Sequence, residues 1–436
     1  MAPLKPLAVY VHWPWCKAKC PYCDFNSHAG LIQEEPYIEG LLQEIRGWAA
    51  GAVLDGREFG AFTAQTHRLE SIFFGGGTPS LMQAESIGRV IAECRTLGVL
   101  DDTTEVTVEC NPTSFATPED AQRFFNDLRL AGVNRVSIGI QGLKQEWLRF
   151  LGREHSVNDA LATLDAAQAV FRNVNCDVIY GLPGQTLDDW IKLLKNLSAR
   201  GLPHISAYQL TVEKNTRFHV DVKRGAWAPI DADLEADFFD ATRETLLGAG
   251  YVNYEISNFA KPGHACRHNV HVWRYGNYIG IGAGAHGRTT DNLGTRVATT
   301  VIRQPEGYLR RMGGSELPPL QRVVQTIALT PPETAQEALF SGLRLAEGCN
   351  MENLSKHISE ASCEEAISDR ETALLVESGF LIRTPTHLKL TETGWPRLNS
   401  VLSRLLTALP ASATPTPPLD TTPKGAYKTP LTVVIS

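Results

Sequence analysis

The sequence has no apolar run of the ~18 to 20 residues that a helix needs to cross a bilayer, so a membrane-spanning chain is not expected. It also lacks an excess of basic charge. Over 436 residues the formal net charge is -7, which disfavours a broad polyanion-binding face and makes nucleic acid an unexpected principal partner. No basic segment, apolar core and cleavage site open the chain. Instead MAPLKPLAVYVHWPWC runs directly into a polar cysteine motif, and cytoplasmic residence is the expectation. Nor do the cysteines form an even set. There are nine in a long chain, which argues against a disulfide framework and for reduced thiols, some of them available as metal ligands.

What is present is a repeated strand and helix pattern. Six short apolar or β-branched runs begin at Leu7, Ser71, Glu105, Arg135, Asn175 and His204, and stretches with helical spacing of apolar residues lie between them, as from Glu34, Ala84, Pro118 and Leu187. Such alternation implies a parallel sheet, either open and doubly wound or curled into a barrel. Polar and glycine signals gather where the strands finish: Cys16 after the first, Gly75 to Thr78 at the second, Glu109 at the third, Gln141 at the fourth. In a barrel those ends converge on one mouth. The reading is therefore α/β, a partial (β/α)6 barrel over residues 1–229. It continues in a barrel extension and connecting region over 230–330, where YIGIGAGAHG adds to the barrel side, and a small winged-helix-like domain over 331–409. Residues 410–436, rich in Pro, Thr and Ala, are expected to be disordered. Packing against the barrel, rather than DNA binding, is the expected role of the winged module in so acidic a chain.

Cys16, Cys20 and Cys23 have the spacing CxxxCxxC, which lets three thiolates from one loop reach one cofactor. Four-iron clusters take one thiolate per iron, so three cysteines leave one iron open to another ligand. Structural zinc would need a fourth protein ligand, from His12, Asp24 or His28. The motif resembles the radical-SAM signature CxxxCxΦC, with Tyr22 at the aromatic position Φ. Gly75-Gly76-Gly77-Thr78-Pro79 is similar to the glycine-rich turn of that superfamily, where missing side chains let backbone approach S-adenosylmethionine (SAM). Glu109 in VECNP, Gln141 in SIGIQGL, Arg153 in LGREH and Asp177 in NCDVIYGLPGQ fall in the order of its SAM contacts. Each alone has a plain structural explanation as a cap, a salt bridge or a surface group. The resemblance implies a [4Fe-4S] cluster on Cys16, Cys20 and Cys23. It also implies a SAM site with contributions from Tyr10, Tyr22, Gly76, Gly77, Thr78, Glu109, Gln141, Arg153 and Asp177. The residue types suit the roles: carboxylates accept from amino and ribose hydroxyl groups, and Arg153 can pair a carboxylate.

From about Val9 to Leu409, HWPWCKAKCPYCDF, FFGGGTPS, ECNP, IQG, LGREH, IYGLPGQT and HACRHNVHVWRYGNYIGIGAGAHG together resemble one branch of that superfamily, which holds the oxygen-independent coproporphyrinogen III dehydrogenases and the HemW-type haem chaperones. The dehydrogenases carry a fourth cysteine two residues after the third. Here that position is Phe25, which favours the chaperone type over radical oxidative decarboxylation to protoporphyrinogen IX. The chaperone resemblance implies haem as cargo, an acceptor protein, peripheral membrane contact through that acceptor, and a one-electron reductant if SAM is cleaved. The associated pattern HNxxYW is partly met by His268-Asn269-Val270-His271-Val272-Trp273, with Val272 in place of tyrosine. His268, His271 and Trp273 are the haem candidates, because imidazole ligates haem iron and an aromatic packs on the macrocycle. Cys266 and His286 are reserve ligands.

Overall fold

The computed structural model describes residues 3–355 and 369–407. The expected disordered tail and the front of the helix read from Cys363 lie outside the described residues; the rear of that segment is helical over Asp369–Glu377.

Six strands occupy the runs read from the sequence: β1 Lys5–Trp13, β2 His67–Gly76, β3 Glu105–Cys110, β4 Arg135–Gln141, β5 Asn173–Tyr180 and β6 His204–Gln209. Between them run α1 Glu34–Ala50, α2 Ala84–Cys94, α3 Pro118–Leu130, α4 Val157–Val170 and α5 Leu187–Ala199. Thr117, Ser156 and Thr186 start the last three by accepting from the backbone N–H of Asp120, Asp159 and Asp189. Each cap satisfies a donor that the first helical turn would leave unpaired.

The five pairs β1·β2 to β5·β6 are all parallel, and each strand lies beside its predecessor. A doubly wound sheet reverses its order at a switch point. Here the order never reverses, which is the arrangement of a barrel. The barrel stays open because both edges are taken. After β6 and the helix α6 Ala232–Gly248 the chain returns, and β6 pairs antiparallel with β8 Asn258–Ala260, which in turn holds β7 Val252–Glu255. On the other side β1 pairs parallel with β9 Tyr278–Ile281, followed by the antiparallel β10 His286–Thr290, β11 Arg296–Val301 and β12 Val324–Ala328. The glycine-rich segment thus extends the sheet on the β1 side.

Strand alternation sorts the two faces. Val9, Val11, Ile72, Phe74, Val106, Val108, Val136 and Ile138 are buried in the main apolar core. The opposite, concave face carries Tyr10, His12, Ser71, Phe73, Thr107, Ser137, Asn175 and Ser206, also buried. A polar inner wall is costly unless its groups find partners. This is where the chemistry-bearing residues are held.

Below the barrel a separate apolar cluster joins α8 Pro331–Gly342, the helix Leu398–Thr407 and a small sheet. That sheet has three strands, β13 Cys349–Asn350, β14 Leu381–Arg383 and β15 His387–Leu390, with β15 central. The two-stranded wing read from the sequence gains β13, which is too short to leave a pattern. Among the described residues no helix is long and apolar enough to cross a membrane.

Candidate functional site

The three motif cysteines lie in the loop after β1, partly exposed, whereas the other described cysteines are buried. Burial pushes the Cys23 thiol up to about 11, with the neighbouring Cys20 and Cys16 adding to the effect. Cys16 is raised in the same way, first by burial and then by Cys20. The three sulfurs are thus near enough to resist each other's ionisation, and a cation would be needed to hold them together as thiolates. Thr78 Oγ1 donates to Cys16 Sγ at 3.3 Å and Arg153 Nη1 faces Cys20 Sγ at 3.6 Å. Arg153 is also clamped by Nη2 on the Gly139 carbonyl at 2.6 Å, while its buried Nε has no partner among the described residues. That orphan donor, on the guanidinium whose Nη1 faces Cys20, fits an anionic group held at the mouth.

Among the described residues no group of three or more His, Cys, Asp or Glu side chains is placed to hold a single metal ion. A cluster makes no such demand, since each iron takes one thiolate. The zinc alternative loses one of its three possible fourth ligands as well. His12 Nε2 faces the Asn26 carbonyl at 2.9 Å and Nδ1 faces Tyr10 Oη at 3.1 Å, so Nε2 is the protonated nitrogen and neither is free. Burial lowers His12 to about 4.

The glycine turn also serves the protein's own packing. A Cβ on Gly77 would stand 2.5 Å from the Trp15 carbonyl oxygen, and one on Gly76, at φ +106°, would stand 2.5 Å from the His12 ring. Gly77 N and Thr78 N donate to the Trp13 and Trp15 carbonyls at 2.6 and 2.8 Å. These two glycines are required by the protein's own cysteine loop before any ligand arrives. Only Gly75 opens a cradle at the mouth: its Cβ would meet Tyr10 at 3.0 Å and Glu109 Oε2 at 3.1 Å. Sequence reasoning missed His12 as the post joining Tyr10, the glycine turn and the cysteine loop. Its place two residues after Tyr10, on the same strand face, was the available signal.

Gln141 ends β4 with φ +63°, beside a register shift between Gly139 and Gln141. A non-glycine residue held in the left-handed region costs about 1 kcal/mol or more and marks a point where the chain is constrained. The turn brings Gln141 Nε2 and Arg153 Nη2 together over Gly139, whose Cβ would lie 2.9 and 3.2 Å from them. Tyr22 is placed beside Arg153, Cys20 and Cys23, whose charges act on its hydroxyl. Asp177 sits deeper: Ser137 Oγ donates to one carboxylate oxygen at 2.9 Å and Asn175 Nδ2 to the other at 2.7 Å. Burial raises its carboxyl above the usual range despite those bonds.

The three haem candidates have separate partners. They lie on α7 Arg267–Trp273, against the inner wall of the barrel. His268 Nδ1 is 2.8 Å from Ser71 Oγ, and its ring lies 4.9 Å from that of Phe73 and 6.3 Å from that of Tyr10. Burial lowers His268 to about 3, so it is neutral. His271 Nε2 donates to the Asn277 carbonyl at 2.8 Å. Trp273 packs under the Arg344 guanidinium, 4.5 Å from its ring centroid. Of the reserve ligands, Cys266 Sγ donates to Glu105 Oε1 at 3.3 Å, and His286 Nδ1 is 3.4 Å from Thr300 Oγ1.

A partial barrel with a three-cysteine loop at its mouth agrees with the profile of the Radical SAM superfamily, which matches residues 10–197; that of the HemN C-terminal domain matches residues 329–397. The fold is that of coproporphyrinogen III oxidase (HemN) from Escherichia coli, a radical SAM enzyme. That structure superposes with a TM-score of 0.73 at 21% identity over 93% of this chain and 91% of its own. The chain therefore belongs to the radical SAM superfamily.

Within the superfamily, the heme chaperone HemW of E. coli K12 is 36% identical over 411 residues, covering 93% of this chain and all of its own. The heme chaperone HemW of Haemophilus influenzae is 35% identical with the same coverage. The mitochondrial radical S-adenosyl methionine domain-containing protein 1 of Mus musculus is 33% identical over 92% of this chain and 88% of its own. The chain is a member of the HemW family.

Proposed function

We propose that the protein is a haem chaperone: it binds haem and passes it to an acceptor protein, and carries a [4Fe-4S] cluster on Cys16, Cys20 and Cys23 with SAM at the open iron. The observation that carries this reading is full-length similarity to heme chaperones together with Phe25 where a dehydrogenase has its fourth cysteine. When bound, the cluster and SAM supply one-electron chemistry. The chain's own residues would hold that pair in place. Thr78 Oγ1 donates to the Cys16 sulfur, Arg153 offers Nε and Nη1 to anionic groups beside Cys20, and Glu109 and Tyr10 flank the space kept open by Gly75. Tyr22 closes the loop side. Asp177, already oriented by Ser137 and Asn175, is left to accept from ribose hydroxyls or the SAM amino group. His268, neutral at physiological pH, is the ligand proposed for haem iron, and His271 and Trp273 support its helix.

The test is anaerobic reconstitution, followed by an optical haem titration with and without SAM and an assay for coproporphyrinogen III turnover. Stoichiometric haem binding without turnover is expected. Protoporphyrinogen IX formation would make the chain a dehydrogenase, and failure to bind haem would remove the proposed cargo.

A further inference from the structure

His268 is the residue best suited to ligate haem and also among the least accessible. It is 3% exposed, with Ser71 at one ring nitrogen and Phe73 against its face. Its helix is fastened on two sides. On the inner side, Glu105 Oε1 accepts from the Cys266 thiol at 3.3 Å, the Arg267 N–H at 3.0 Å and the His268 N–H at 3.2 Å. On the outer side the C-terminal module covers α7. Arg344 lies on the Trp273 ring, and Glu347 pairs Arg274 through two bonds of 2.6 and 2.8 Å. Glu337 of α8 takes a two-point bond from Arg288, 2.8 Å each, and a third from Tyr275 Oη at 2.9 Å. Two backbone bonds, Ile256 N to Arg344 O and Ala346 N to Tyr254 O, complete the seam.

Haem is a rigid planar macrocycle, and coordination requires an imidazole nitrogen to reach its central iron. With α7 seated between the barrel wall and the C-terminal module, no such plate can approach His268. We propose that the C-terminal module is a latch: haem reaches His268 only after the Glu337 and Glu347 contacts release and α7 withdraws from the barrel. The inference rests on His268 being the haem ligand. The two fastenings differ in kind. The Glu337–Arg288 pair is largely buried, at 13% and 14% side-chain exposure, whereas Glu347–Arg274 is half exposed, at 43% and 51%. A buried two-point pair holds its geometry, and an exposed one contributes little. Release is therefore governed mainly by Glu337.

A ligand that binds only an open minority state has its apparent affinity reduced by the open fraction, and its observed rate cannot exceed the opening rate. The test is stopped-flow haem binding to the reconstituted full chain. For the wild type the observed rate should level off as haem concentration rises. Glu337→Gln should lift that ceiling about tenfold and Glu347→Gln about twofold, in the order that their burial dictates. Both variants are checked by thermal melting, and if Glu337→Gln does not fold, Glu347→Gln alone decides. A rate that stays linear in haem, or a ceiling unmoved by the folded variants, overturns the latch. His268→Ala separates the two claims. An unchanged haem spectrum in that variant sinks the ligand assignment and the latch with it. Loss of haem binding there, with latch variants that behave as wild type, sinks the latch alone.

Discussion

The mouth and the floor of the barrel are both lined with buried polar groups, but they differ in what those groups touch. At the floor most of the groups are matched to one another: Glu105 receives three donors at the start of α7, Ser71 meets His268, and His271 meets the Asn277 carbonyl. At the mouth Arg153 Nε is orphaned, three thiols crowd one loop, and Gln141 is held in a strained conformation. Buried polar atoms are nearly always paired, so an orphan donor beside a loop of three thiols points to a group that the chain does not supply. Around α7 the unpaired atoms, Trp273 Nε1 and the Nε of Arg296 and Arg344, belong to stacks in which both guanidinium groups lie on aromatic rings of the chain itself.

Substitutions at the two ends should therefore fail differently. The largest effect is expected from Cys20→Ala, which should abolish the brown absorbance of the reconstituted protein and its iron and sulfide while leaving the fold intact; full iron and sulfide content would refute the ligand assignment. Next, Glu105→Ala leaves three α7 donors and the nearby Arg135 without their acceptor, at a cost of about 3 to 5 kcal/mol. It should lower the melting temperature by several degrees yet barely move SAM affinity, and calorimetry with a SAM titration checks both.

Glu44 lies behind the mouth, accepting from Tyr308 Oη at 2.5 Å and Gly282 N at 2.9 Å. Burial outweighs those bonds and raises it from 4.5 to about 7. With the folded value above the unfolded one, the folded state holds the proton more tightly. Stability then falls as pH rises from about 4.5 to 7 and is flat above. Glu44→Gln should stabilise the protein at pH 8, by at most on the order of 3 kcal/mol, and not near pH 4.5. Melting temperatures across that range would show it, and a pH-independent difference would contradict it. The smallest effect should come from Gln141→Gly. Relief of the left-handed strain and the added freedom of the unfolded chain nearly cancel, each about 1 kcal/mol. Melting should hardly change while SAM affinity falls severalfold, and an unaltered SAM titration would remove Gln141 from the site.

The fold was legible because each βα step carries its own pattern, an apolar strand and an amphipathic helix, joined in the last three by a capping residue. α2 begins and ends where its spacing predicts, at Ala84 and Cys94. The hairpin of Ala52–Leu54 and Arg57–Phe59 was passed over, although Asp55 and Gly56, both at positive φ, are a turn signal for it. The cysteine loop was readable from spacing. That Gly76 and Gly77 serve the loop's own packing was not, because the contact runs between segments sixty residues apart. The inward position of His268 was hidden for a related reason. α7 is only seven residues long, and its burial depends on α8 and Arg344, far along the chain.

The contrast between a floor matched mostly to protein groups and a mouth with three crowded thiols is tested most directly by electron paramagnetic resonance of the anaerobically reconstituted, reduced protein before and after SAM is added. A four-iron signal whose g-values shift with SAM is expected from three thiolates and one open iron. A signal that SAM leaves unchanged, or no cluster signal at all, would contradict the assignment of Cys16, Cys20 and Cys23.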